Sequence, residues 1–309
     1  MLFRSPWSAY LPGLIGLQYR GQDRPSRMRL QCLCWIGFIL VFFTFSTTQE
    51  YYSLPTYPAF ALLLGCAIAQ DSVWIRRGAK LLGVLTTLAA LAIAFILANV
   101  WNTPTPGDIS QALTQNPDMY TLSLGHMGDL TLQSFAYLRT PLLLAGAAFL
   151  IGGWAAWRAR GFRLQLGLAV MMILFLNAAR VAMITFNPYL STRELADAIR
   201  QAPPGKVILG DQYYVFSSVF YYADLKEALL LNGRYQNLEY GSYAPGAPDV
   251  FLSDSQFRPL WLSQDRAYLV LEGPKVLGVT QTVGKDSMHL VKASGGKFLF
   301  TNHPLDKAN

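Results

Sequence analysis

The chain has 309 residues, 52% of them hydrophobic and only 14% charged, where soluble proteins average about 25% charged. Its net charge of +7 does not indicate nucleic acid. The basic residues cluster in short stretches between apolar runs, with no basic face interleaved with aromatics, and that pattern is a membrane orientation signal. Acidic residues are sparse from Cys32 to Tyr189 and normally frequent after it, so the chain reads as one part for lipid and one for water. Cys32, Cys34 and Cys66 all lie in or beside apolar runs. They read as small apolar fillers, not as a disulfide framework or a zinc cluster. Met1 to Arg29 contains scattered Pro, Gly and Arg and lacks the compact apolar core of a signal peptide.

In chain order, residues 1–30 read as a cytoplasmic N-terminal segment, followed by a transmembrane domain over 31–190. About 20 apolar residues cross the hydrocarbon core as a helix. Five runs come near that length, at 31–47, 54–70, 81–101, 141–157 and 164–186. The fourth is rich in Gly and Ala, which suits close helix packing. Three basic groups punctuate them: Arg20, Arg24, Arg27 and Arg29; then Arg76, Arg77 and Lys80; then Arg158, Arg160 and Arg163. The remaining loops, 48–53 and 102–140, hold one basic residue, Arg139. The positive-inside rule puts the three groups in the cytoplasm and the C-terminus outside. The long outer loop 102–140 opens on a Pro-rich stretch. Its Leu124, Met127, Leu130, Leu132, Phe135 and Leu138 suit either an interfacial amphipathic helix or a lid.

From Ser191 the chain reads as a small extracytoplasmic α/β domain, 191–309. A helix over Thr192–Gln201 leads into strands at Lys206–Leu209, Leu229–Leu231, Val250–Leu252, Ala267–Leu271, His289–Val291 and Phe298–Phe300. Val215–Tyr222 is a further apolar element, and Asn-Gly, Pro-Gly, Gly-Pro and Gly-Gly turns fall between. The expected fold class is therefore an α-helical membrane bundle of about five spans followed by a small soluble α/β domain.

The chemistry concentrates at Thr47–Pro58, T-T-Q-E-Y-Y-S-L-P-T-Y-P. Tyrosines at an interface are ordinarily anchors. Glu50 beside Tyr51 and Tyr52 is less ordinary, and Pro55 and Pro58 free backbone groups that, in a membrane, line cavities or pack on protein. A binding pocket and a structural belt both fit. Arg180, with Asn177, lies inside the fifth run. It suits a carrier phosphate through a bidentate contact, or snorkelling to headgroups. His126, His289 and His303 have no ligand-spaced partners, so no metal is assigned. Asp211 after the first strand suits a helix cap, or a crevice at a strand end.

The stretch from Phe45 to Gly65, with Tyr52-Ser53-Leu54-Pro55 opening the helix after an outer turn, resembles a late membrane segment of the GT-C class polyprenyl-phosphate-dependent glycosyltransferases. These include the aminoarabinose transferases and the protein O-mannosyltransferases. The resemblance implies that a sugar passes from a polyprenyl-phosphate carrier to an acceptor on the outer face of the bacterial inner membrane. It makes Glu50, Tyr51, Tyr52, Tyr57 and Arg180 the substrate-binding candidates, with a lipid-linked sugar donor and membrane lipids as partners. The family's catalytic carboxylate lies in the first extracytoplasmic loop, and its members have many more spans. This sequence therefore looks like a C-terminal part, from a truncated reading frame or a split gene with a separately encoded N-terminal half, and no catalytic residue is assigned. No cofactor is assignable, with room for a divalent metal in the complete enzyme. Many relatives carry a basic residue just before the Tyr, where Gln49 and Glu50 stand here. The competing reading is a non-enzymatic membrane protein whose outer domain binds an envelope partner; a transporter is weaker, because charges within the spans are nearly absent.

Overall fold

The computed structural model describes residues 6–45, 50–114, 128–210, 213–234 and 237–305. The chain divides into two compact units, Met1–Asn99 with Arg139–Val181, and Val100–Leu138 with Ala182–Asn309.

The first unit holds the long apolar helices. They are α1 (Arg24–Thr44), α2 (Tyr57–Ala69), α3 (Val73–Val100), α5 (Arg139–Arg158) and most of α6 (Gly161–Leu190); a 3-10 helix, Glu50–Thr56, leads into α2. Five segments are long and apolar enough to cross a membrane, the second being the 3-10 helix and α2 together. Their outward surfaces are apolar: Leu33, Phe38, Val41 and Phe42 on α1, and Leu88, Leu91 and Phe95 on α3, are exposed. Such a surface is untenable in water and natural in lipid, so the chain is an integral membrane protein.

Helix ends differ from the sequence expectation for a local reason. The first helix begins at Arg24, because Asp23 accepts from the Ser26 backbone N–H at 3.0 Å and Pro25 sits in the first turn, a standard N-terminal signal. Hydrogen bonding from the Ser26 hydroxyl and its N–H holds the Asp23 carboxyl below the usual carboxylate range. Arg24, Arg27 and Arg29 are thus helical. So are Arg76, Arg77 and Lys80, at the start of a 28-residue α3. The Gly- and Ala-rich α5 packs closely on α6: a Cβ at Gly152 would overlap Met171, and one at Gly167 would overlap Ala155.

A 3-10 helix, Pro6–Gly16, packs on the ends of the bundle that carry the basic groups. Trp7 donates to the Gln165 side chain at 2.9 Å. Tyr10 is fully buried. Gly78 lies against the Ala9 carbonyl, and Gly13 against Ile75 and Ala67. The C-terminal end of α2 and the N-terminal ends of α3 and α6 are therefore together, as alternation of the spans requires.

The second unit is built on a six-stranded mixed sheet. Its strands are β1 (Lys206–Gly210), β2 (Leu229–Leu231), β3 (Phe251–Leu252), β4 (Ala267–Glu272), β5 (His289–Ser294) and β6 (Lys297–Thr301), in the order β3-β2-β1-β4-β6-β5. The first four run parallel; β6 pairs antiparallel with β4, and β5 pairs antiparallel with β6. Every residue of β4 is buried, the mark of a strand covered on both faces. Val207, Leu209, Tyr268 and Val270 point to α7 (Arg193–Gln201) and α8 (Tyr213–Ala223). Ile208, Leu269 and Leu271 point to Phe257 and Trp261 of α10 (Asp254–Trp261) and Val283 of α11 (Gly273–Val283). The short α9 (Asn237–Gly241) lies between β2 and β3. Strand β1 ends at Gly210; Asp211, the proposed cap or crevice residue, lies outside the described residues.

Segment 100–138 belongs to this second unit. It contains a 3-10 helix, Ile109–Ala112, and the short α4 (Ser134–Tyr137). Leu124 and Met127, part of the suggested amphipathic stretch, lie outside the described residues, as does His126.

Candidate functional site

The tyrosine turn is a local consequence of its two prolines. Pro55 sits inside the 3-10 helix Glu50–Thr56, and Pro58 in the first turn of α2. Each lacks an N–H and fixes φ, so the chain tightens before it can run as an α-helix. Thr56 is buried at the junction and its hydroxyl donates to the Ser53 carbonyl at 2.6 Å.

The turn gathers aromatics. Tyr52 stacks on Phe43 near the end of α1, with ring centroids 4.6 Å apart. Tyr51 meets Tyr52 edge-on at 4.8 Å, the arrangement that ring quadrupoles favour. Phe42 meets Phe43 edge-on at 5.1 Å, and Phe38 stacks on Phe42 at 6.2 Å. The ladder therefore continues down α1, beside a groove of about 610 Å³ lined by Gly37, Phe38, Val41, Phe42 and Phe45. Tyr51 is 59% exposed and Tyr57 42%. The Glu50 side chain lies outside the described residues.

Of the five residues singled out from sequence, Tyr51 and Tyr52 come together. Tyr57 opens α2 a turn further on. Arg180 sits on an exposed face of α6, one turn beyond Asn177, whose amide donates back to the Ile173 carbonyl at 2.8 Å. Among the described residues no hydrogen bond or ring contact joins Arg180 to the tyrosines. Since α6 continues to Leu190, Arg180 stands ten residues from that end, about 15 Å at the rise of an α-helix. The phenylalanine groove on α1 was not picked out from sequence; its signal was Phe38, Phe42 and Phe45 at helical spacing just ahead of the turn.

Chemically the turn offers stacking faces and phenol groups that donate and accept. Among the described residues no three His, Cys, Asp or Glu lie close enough to hold a metal ion.

Comparison with solved structures gives the fold its place. The chain superposes on the crystal structure of ArnT from Cupriavidus metallidurans bound to undecaprenyl phosphate, with a TM-score of 0.64 and 18% identity. The match covers 96% of this chain and 50% of that one. The chain has the ArnT fold. The apo structure of the same ArnT matches equally, at a TM-score of 0.64 and 19% identity over the same shares. The chain thus spans about half the length of the ArnT structures, and takes in both the helical bundle and the mixed sheet. No family profile and no curated protein matches it in sequence.

Proposed function

We propose that the chain is the C-terminal portion of a membrane glycosyltransferase that moves a sugar from a polyprenyl-phosphate carrier to an acceptor on the outer face of the inner membrane. The observation that carries this reading is the ArnT fold over 96% of the chain, together with the tyrosine turn that resembles the GT-C segment. One of the two ArnT structures is bound to undecaprenyl phosphate, so the donor is of the lipid-linked class. In this reading Tyr51, Tyr52 and Tyr57 line the donor cavity. Tyrosine faces stack on sugar, and phenols hydrogen-bond hydroxyls or phosphate. Glu50 binds sugar hydroxyls, a divalent metal or a neighbouring Arg, and Arg180 is the candidate phosphate contact.

The complete enzyme, with the N-terminal half present, tests the turn. Tyr52→Phe and Glu50→Gln should each lower turnover at least about tenfold, a loss of about 1.4 kcal/mol of transition-state stabilisation, with insertion unchanged. Full activity in both variants would reduce the turn to an interfacial belt.

The orientation follows from charge. A reporter fused after Trp157 should read as cytoplasmic, and one fused after Asn309 as exported. The basic ends of α1, α3 and α6 motivate this. A cytoplasmic C-terminus would put the tyrosine turn on the wrong side for an outer-face donor.

A further inference from the structure

The second unit contains a buried polar chain that the proposed reaction does not use. It begins in segment 100–138. Asp129 is fully buried there, and Tyr189 near the end of α6 donates its phenol to it at 2.6 Å. The Tyr189 carbonyl accepts from the Lys297 ammonium, which also lies 5.7 Å from the Tyr189 ring centroid. Lys297 opens β6 and is 4% exposed. Its register partner on β4 is Glu272, itself buried; its partner on β5 is Ser294, which is uncharged. Asp108 joins from the same segment. One of its oxygens caps Ser110 at 2.9 Å, and the other accepts from Gly295 N–H at 3.4 Å. Gly295 has φ +61, and a Cβ there would overlap the Pro188 carbonyl. The β5–β6 turn is therefore seated directly on the end of α6.

We propose that these contacts form a latch holding residues 100–114 and 128–138 to the C-terminal sheet through the end of α6, with the buried Lys297 amine setting how tightly it closes. The physical reason is that a buried ammonium is costly unless fully compensated. Here the Glu272 carboxylate and the Tyr189 carbonyl face it. Glu272 favours the charged form, but burial outweighs it and lowers the Lys297 pKa from 10.5 to about 8. Opening returns the amine to water and to its ordinary pKa. The open state therefore binds more protons between about pH 8 and 10.5, and closure tightens as pH rises through that window. Below about pH 8 this group contributes no slope, and the latch carries the charged amine at a cost.

Hydrogen exchange of the full chain in detergent, corrected for the intrinsic pH dependence of exchange, reads the latch directly. In the wild type the opening constant of peptides over 128–138 should fall about tenfold between pH 7 and pH 9, one unit above the folded pKa. Lys297→Met should abolish that dependence. Glu272→Gln should move its midpoint lower, because the carboxylate holds the proton on the amine. Tyr189→Phe should raise opening at every pH while keeping the slope, since it removes the tie to Asp129 and leaves the Lys297 amine in place. A flat wild-type profile, or an unchanged slope in Lys297→Met, would overturn the proposal. If Lys297→Met does not fold, an unmoved midpoint in Glu272→Gln overturns it instead. None of these readouts involves sugar transfer, so they stand apart from the glycosyltransferase reading.

Discussion

The purified chain, assayed alone with a polyprenyl-phosphate-linked sugar and an acceptor, should transfer no sugar above a protein-free control. Transfer should appear when the rest of an ArnT-like fold is supplied, on the same polypeptide or a second one. The chain spans half of the ArnT structures, and no residue in it is assigned as the base that deprotonates the acceptor. The resemblance places that carboxylate in a first outer loop elsewhere. A positioned general base is worth about 10²–10⁴ in rate, so a portion of the fold without one should fall to the level of the control. Unaided transfer within tenfold of the completed enzyme would refute the reading of this chain as a catalytically incomplete portion.

The largest stability effect should come from Trp261→Ala in the second unit. Trp261 is 1% exposed, tilts against Phe257 with centroids 5.6 Å apart, and donates to the Ser287 carbonyl at 3.1 Å. Its own carbonyl accepts from the Asn302 amide at 3.0 Å, and Asn302 in turn accepts from the Ala267 N–H at 2.8 Å. Removing a buried Trp costs about 3–5 kcal/mol, a large part of the roughly 5–15 kcal/mol that holds a domain folded. Pulse proteolysis of the full chain in detergent should show cleavage within 191–309 at far lower urea than in the wild type. Trp261→Phe keeps most of the volume and loses one hydrogen bond, about 1 kcal/mol. Equal proteolytic midpoints for wild type and Trp261→Ala would mean that this face of the sheet is not the core of the domain.

The spans were legible because lipid imposes a requirement that composition alone reveals: long stretches without charge. Their ends were less so. The N-terminal turns of α1 and α3 carry Arg and Lys that read as loop, yet Asp23 with Pro25 starts the first helix seven residues earlier than hydropathy suggests. The strands of the sheet were found from apolar runs between turn residues, and β4 is the clearest because both its faces are covered. What distant packing decides was not readable. Val215–Tyr222 is apolar enough for a strand or a helix, and it became α8 through its packing on β1. The same holds for the polar chain. Asp129 is one of three acids in the long outer loop and Lys297 stands just before the expected strand Phe298–Phe300; nothing local said that Tyr189 would join them. Within the tyrosine turn, the prolines and aromatics announced a non-helical, ring-rich knot, while the stacking of Tyr52 on Phe43 depends on how α1 and the turn meet.

The docking of Pro6–Gly16 has a consequence for biosynthesis. Trp7 and Tyr10 find their hydrogen-bond partner, Gln165, some 158 residues later in the chain. At about 5–20 residues per second of translation, the N-terminal segment waits roughly 8–30 s before α6 emerges. Until then Trp7 and Tyr10 lack that partner at the membrane surface. Their settling onto Gln165 is thus a late event that requires α1, α2, α3 and α5 to have threaded in the right sense. A helix inserted backwards would leave Gln165 on the far side of the bilayer, and the Pro6–Gly16 helix would stay undocked and open to a quality-control protease.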